Sequence, residues 1–450
     1  MHTLSSLRTG QLAGIKRLDL SCGLTKFPSE IYTLADSLEV LNLSGNALSS
    51  LPDDLPRLHK LRIIFCSDNR FTELPKVLGR CQNLEMVGFK ANQISNVPAE
   101  SLPKKLRWLI LTDNKISELP NELGACTQLQ KLMLAGNQLH CLPVLTACNH
   151  LELLRISANR FTRLPDWLLS LPRLAWLAYA GNPCSDVDEA VVATKQAIAH
   201  IDWHSLELQQ VLGEGASGVI YHATCQSAGM ASDVAVKVFK GTVTSDGLPR
   251  SEKAASIAAG AHSKLIPILG KISGHPENIS GLVMSLIDSS FVNLAGPPSL
   301  ESCTRDIYSA DRRFSLATVL NIALSISAAV EHLHAQGVIH GDLYAHNILL
   351  NESSSIQGDC LLGDFGGASF LPRDDANLAI ALQRLEVRAF ACLLEELLDR
   401  CDAPLESESI ENALRDLQTR CAQSEVKHRP LFNEIGSSLI LLAEANHKLD

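Results

Sequence analysis

The 450-residue chain lacks several features that would each have placed it in a definite class. It has no run of about 18 apolar residues that could span a bilayer, and Met1-His2-Thr3-Leu4-Ser5-Ser6-Leu7-Arg8 has neither the basic start nor the apolar stretch of a secretory signal. These absences predict a cytoplasmic protein that does not engage a membrane. No Cys-x-x-Cys pair occurs among its 13 scattered cysteines, which excludes the common zinc and thioredoxin-type sites. The odd count also argues against a closed disulfide framework, so the cysteines are expected to be reduced packing residues. Positive charge is short too: a net charge of -10 argues against non-specific nucleic-acid binding. What remains, 46% hydrophobic and 20% charged, is a globular chain long enough for two or three domains.

The charge is unevenly placed. Residues 1-185 carry 20 Lys/Arg against 15 Asp/Glu, whereas residues 186-450 carry 19 against 34. The first of these stretches is periodic. Segments beginning at Ile15, Leu38, Leu61, Leu84, Leu106, Leu129, Leu151 and Leu174 recur every 22 to 23 residues, the clearest being Leu38-Glu39-Val40-Leu41-Asn42-Leu43-Ser44-Gly45-Asn46-Ala47-Leu48. One such turn cannot bury its own leucines, and stacking turns side by side can. Asn46, Asn69, Asn92, Asn114, Asn137, Asn159 and Asn182 recur at the ninth position, where each amide is expected to bond the backbone of adjacent turns rather than a ligand. The pattern resembles the leucine-rich repeat and implies a solenoid over 1-185.

Two columns of strand residues point away from the core of such a solenoid. They include Phe65, Met86, Trp108, Met133 and Trp176, an apolar set with Trp anchors of the kind protein-binding faces carry. The expected occupant is a protein partner or substrate; a neighbouring domain of the same chain is the alternative. Residues 186-205 read as a capping helix and junction, and no Pro/Gly/Ser-rich linker follows.

Residues 206-450 hold four motifs in order. Gly213-Glu214-Gly215-Ala216-Ser217-Gly218 lies between strand-like runs, so it is a strand-loop-strand rather than the start of a dinucleotide-binding helix. Glycines there let backbone amides approach phosphates. Val234-Ala235-Val236-Lys237, His340-Gly341-Asp342-Leu343-Tyr344-Ala345-His346-Asn347 and Asp364-Phe365-Gly366 follow. Together they resemble the eukaryotic-type protein kinase domain. The fold class implied is therefore an α/β leucine-rich repeat solenoid followed by an α+β two-lobed kinase fold.

The resemblance implies ATP and Mg2+ as cofactors and assigns residues to them. Lys237 would bind the α and β phosphates, held by Glu252, and Asp342 would take the proton of the acceptor hydroxyl. Asn347 and Asp364 would hold the metal. Leu212, Gly213, Gly215, Ser217, Gly218, Val219, Ala235, Met284, Leu286 and Leu349 would surround the nucleotide, with Met284 as gatekeeper. Leu385-Glu386-Val387 looks like the start of the family's helix F, and His428-Arg429-Pro430 like its closing Arg-Pro motif.

Three departures stand out. Gly341 replaces the arginine that reads activation-loop phosphorylation. Tyr344 replaces the lysine many Ser/Thr kinases place two residues after the aspartate. The stretch from Asp364 to Glu386 is short and has no Ala-Pro-Glu. The expectation is a Ser/Thr protein kinase not switched by loop phosphorylation. A kinase-like scaffold without transfer activity and a small-molecule phosphotransferase of the same fold stay open as alternatives.

Overall fold

The computed structural model describes residues 2–195, 198–215, 217–227, 230–241, 243–354, 356–402, 407–446 and 448. They form two compact units: Met1–Arg173 with Asn182–Cys184, and Leu174–Gly181 with Ser185–Asp450. This division differs from a cut at 185, because residues 174–181, counted in the sequence as part of an eighth repeat, group with the second unit.

In the first unit a short helix α1 (Leu4–Arg8) precedes seven three-residue strands: β1 (Arg17–Asp19), β2 (Val40–Asn42), β3 (Ile63–Phe65), β4 (Met86–Gly88), β5 (Trp108–Ile110), β6 (Lys131–Met133) and β7 (Leu153–Arg155). Each pairs in parallel with the next, and the register sets Leu18, Leu41, Ile64, Val87, Leu109, Leu132 and Leu154 in one buried line. The connectors are 3-10 turns rather than α-helices, among them Lys76–Arg80, Asn121–Ala125 and Asp166–Ser170. Repeats of 22 to 23 residues leave too little chain for more. Pro75, Pro120 and Pro165 sit just before these turns, where no hydrogen bond needs their missing N–H.

The asparagine column does what the spacing predicts. The Asn137 amide donates to the carbonyls of Leu111 and Leu134, both at 2.9 Å, and its oxygen accepts from the Ile116 N–H at 3.0 Å. Asn69, Asn114 and Asn159 repeat this pattern. The residue before each asparagine is left-handed: Gly45, Asp68, Ala91, Asp113, Gly136, Ala158 and Gly181, with φ from 52° to 72°. Glycine fits such a backbone, aspartate tolerates it, and alanine is strained by it.

In the second unit, β8 (Trp176–Ala178) and α2 (Pro183–Lys195), whose first two residues group with the first unit, come first in the chain. Next comes a six-stranded sheet of β9 (His200–Asp202), β10 (Leu206–Glu214), β11 (Gly218–Ser227), β12 (Met230–Phe239), β13 (Ile268–Ser273) and β14 (Gly281–Ser285), in the order β10-β11-β12-β14-β13-β9. All pairings are antiparallel except β9 with β13, so part of the expected junction is sheet. Helix α3 (Pro249–Ala259) opens on a proline in its first turn and ends at Gly260, whose φ of 65° suits a glycine.

A helical lobe completes the unit: α4 (Leu316–Ala335), α5 (Ala376–Leu398), α6 (Glu408–Cys421) and α7 (Phe432–Asn446). Helix α4 is long and apolar enough to cross a membrane by composition, yet most of it is buried among its neighbours, as a core helix is. Helix α5 begins at Ala376, not near Leu385 as the sequence suggested. Asp375 caps it by accepting from the Leu378 N–H at 2.9 Å, and strong helix formers fill its first turns. All 13 cysteines are outside any disulfide, and nine of them are buried.

Candidate active site

Several motif residues line one cleft of about 500 Å3 in the second unit, whereas Glu252, Asp342 and Asn347 stand outside its lining. Leu212, Gly213, Gly215, Ser217 and Gly218 line it from the β10–β11 loop, Lys237 from β12, and Leu349 and Asp364 from the helical lobe. A Cβ on Gly213 or Gly215 would meet nothing within 4 Å, so the loop's backbone is bare on that side. Ala216 lies outside the described residues. The cleft is also lined by Ile220, Thr244, Asp246 and Asn293, which no motif marked. The residues expected around adenine, Val219, Ala235, Met284 and Leu286, stand outside this lining. Ala235 and Met284 face each other across the β12–β14 ladder, with Ala235 buried.

Lys237 projects from β12 to an ion pair with Glu252 on α3, both side chains being buried. Burial alone would favour a neutral lysine, but the charges of Glu252 and Asp364 outweigh it, and its pKa is raised. Burial, with the like charge of Asp364, raises that of Glu252. Lys237 is therefore a fixed positive charge at the floor of the cleft.

The catalytic-loop residues are held by short contacts. The Asn347 amide donates to Asp342 Oδ2 at 3.0 Å and to the Asp342 carbonyl at 2.9 Å, which orients the carboxylate. Asp364 is left-handed, with φ 54°, and its Oδ1 accepts from the Gly366 N–H at 3.1 Å. His340 Nε2 lies 2.9 Å from the Gly363 carbonyl, and its ring packs 5.4 Å from that of Phe365. His346 Nδ1 lies 2.7 Å from Asp306 Oδ1. Burial lowers the His346 pKa, but the bond to Asp306 and the nearby acids win, and it is raised.

One residue of this frame went unassigned in the sequence. Glu386, fully buried on α5, accepts from the Gly341 N–H at 2.6 Å and the His340 N–H at 3.3 Å, and lies 2.8 Å from His334 Nε2. Burial pushes its pKa up, but His334, His340 and the Gly341 amide more than reverse this, so it is held as a carboxylate. The legible signal was an acid inside the apolar run Leu385-Glu386-Val387.

Residues 206–392 match the family of protein tyrosine and serine/threonine kinases, and residues 37–58 match the leucine-rich repeat. The chain joins leucine-rich repeats to a protein kinase domain. Among similar proteins are a probable serine/threonine-protein kinase, gdt4, of Dictyostelium discoideum and the serine/threonine-protein kinase TNNI3K of Homo sapiens. The first is 31% identical over 38% of this chain and the second 24% over 40%. CBL-interacting protein kinase 22 of Oryza sativa is 31% identical over 37% of the chain. The chain spans only 9%, 20% and 37% of these three relatives, in the same order.

The departures from the kinase pattern have local causes. Gly341 has φ 68°, and a Cβ there would strike the Gly367 carbonyl and come 2.7 Å from the Leu177 carbonyl of β8, so arginine has no room. The Tyr344 ring stacks on Trp176, with centroids 4.2 Å apart and planes 5° apart, and the Trp176 indole N–H donates to the Leu343 carbonyl at 3.0 Å. Trp176 is 1% exposed. Its expected place on a partner-binding face is therefore corrected, because its ring is spent on the kinase domain's own catalytic loop. Of the other face residues, Met86 and Met133 are buried, while Phe65 and Trp108 are half-buried. The closing Arg429 is buried, with Nε donating to the Gln423 carbonyl at 2.8 Å.

Proposed function

We propose that the protein is an ATP-dependent serine/threonine protein kinase. The observation that supports this reading is that Lys237, paired with Glu252, and Asp364 line one glycine-walled cleft, and that Asn347 holds the Asp342 carboxylate by a hydrogen bond. In this reading the glycine loop of Gly213, Gly215 and Gly218, unencumbered by side chains, and the Lys237 ammonium hold the phosphates of ATP. Asp342, steadied by Asn347, accepts the proton as the acceptor hydroxyl oxygen bonds to the γ phosphorus and the bond to ADP breaks. Asn347 and Asp364 offer hard oxygen ligands suited to Mg2+, which would neutralise phosphate charge.

The reading extends to a cytoplasmic enzyme whose repeats recruit a protein through the half-buried Phe65 and Trp108. Its test is label transfer from Mg-ATP by the full-length chain to itself or to a generic protein acceptor. Asp342→Ala should lower turnover about 10^2- to 10^4-fold with nucleotide affinity nearly intact. Equal turnover in the variant, or no transfer by the parent despite nucleotide binding, overturns the reading.

A further inference from the structure

The three departures from the kinase pattern share one neighbour. Residues 174–181 and 185–189 of the second unit touch the catalytic loop, the segment after Asp-Phe-Gly and helix α3. Trp176 bonds to Leu343 and stacks on Tyr344, just after Asp342, and the Leu177 carbonyl fills the space above Gly341. The Tyr179 N–H donates to Ser369 Oγ at 2.9 Å, and its hydroxyl donates to the Phe370 carbonyl at 2.6 Å. Ser369 and Phe370 belong to the short segment after Asp-Phe-Gly, which also pairs with Val338–Ile339 just before the catalytic loop. Asp188 accepts from the Arg373 N–H of the same segment. Ser251 Oγ donates to Glu189 Oε2 at 3.2 Å, one residue before the Glu252 that fixes Lys237.

We propose that residues 174–181 and 185–189 are a built-in positioning element, with Trp176 and Tyr179 holding the catalytic loop and the post-Asp-Phe-Gly segment in working geometry. The element takes the place of loop phosphorylation. An arginine at 341 would need a phosphate partner on a long activation segment. Here the arginine is a glycine, the segment is short, and the space between them is taken by backbone and rings from β8. The contacts are buried hydrogen bonds and a parallel ring stack, so they hold in the resting chain and require no modification. None of these residues touches the cleft. They act through Leu343, Tyr344, Ser369 and Phe370, and their effect belongs in turnover rather than nucleotide binding.

The consequence for catalysis rests on the proposed phosphotransfer, whereas the holding itself does not. The test therefore uses two readouts on the full-length chain. Trp176→Phe and Tyr179→Phe each delete one hydrogen bond and keep an aromatic ring, so the fold should survive. Amide hydrogen exchange at residues 340–347 and 366–371 should speed up at least ten-fold in the double variant, with exchange in β12 unchanged. Turnover should fall about three- to ten-fold in each single variant and further in the double, with ATP affinity within two-fold of the parent. Unchanged exchange overturns the proposal, as does faster exchange with full turnover. Should the parent transfer no phosphate, the kinase reading fails, and exchange alone decides whether the segment holds the loop. Should Trp176→Phe not fold, Tyr179→Phe, which removes a single hydroxyl, decides both readouts.

Discussion

Trp108 and Trp176 hold the same position in their repeats, three strands apart, and meet different surroundings. Trp108, on β5, is half-buried with the Lys131 ammonium 4.4 Å from its ring centroid. Trp176, on β8, is buried against Tyr344, with the Arg305 guanidinium 5.6 Å from its ring centroid. A repeat period dictates where a backbone turns and which leucines go inward. It says nothing about what lies outside each strand, and there the same residue type serves the array in one copy and the kinase domain in another.

The largest test of that contrast is to remove both rings. Trp176→Ala should cost about 3–5 kcal/mol, as deletion of a large buried aromatic does, and Trp108→Ala about 1 kcal/mol or less. Urea unfolding of the two variants beside the parent measures the difference. Equal losses would mean that β8 behaves as one more repeat.

Gly341 sharpens the same comparison from the other side. A methyl group added there must displace the Leu177 or Gly367 carbonyl and adopt a left-handed backbone, so Gly341→Ala should lose about 2–4 kcal/mol. Turnover should fall with it. If Gly341→Ala proved as stable as the parent in urea, the β8 backbone would not press on the catalytic loop.

The repeat period and the asparagine column were legible because each follows from local chemistry, whereas Lys237, Glu252, Asp342, Asn347 and Asp364 were legible through motifs that resemble the kinase family. A leucine must face a stacked neighbour, and an amide must satisfy a tight bend. Glu252 was legible from its place in a helical stretch after Lys237 and before His262, where the resembled family carries its own glutamate. The role of Trp176 was not legible, because its partner lies 168 residues further along the chain and no local pattern links the two. Glu386 was hidden for the same reason: its partners, His334, His340 and Gly341, are distant in sequence. The cleft fell between these cases. Its glycine-loop side was readable from glycine spacing, whereas Thr244, Asp246 and Asn293 come from stretches without a motif.

The smallest effect belongs to the array alone and runs in the stabilising direction. Ala91 and Ala158 adopt φ of 52° and 55° at the turn before the ladder asparagine, where Gly136 stands in another copy at 71°. A left-handed alanine costs about 1–2 kcal/mol, and glycine returns part of that through its greater freedom when unfolded. Ala91→Gly and Ala158→Gly should therefore each raise the stability of the first unit by about 0.5–1 kcal/mol, and Gly136→Ala should lower it by a similar amount. Urea denaturation measures all three. Because these turns share no atoms with the catalytic loop, turnover should stay at the parent value in each. Stabilisation accompanied by a change in turnover would show that the strained turns of the array are coupled to the kinase domain, and would extend the contrast between Trp108 and Trp176 to the whole array.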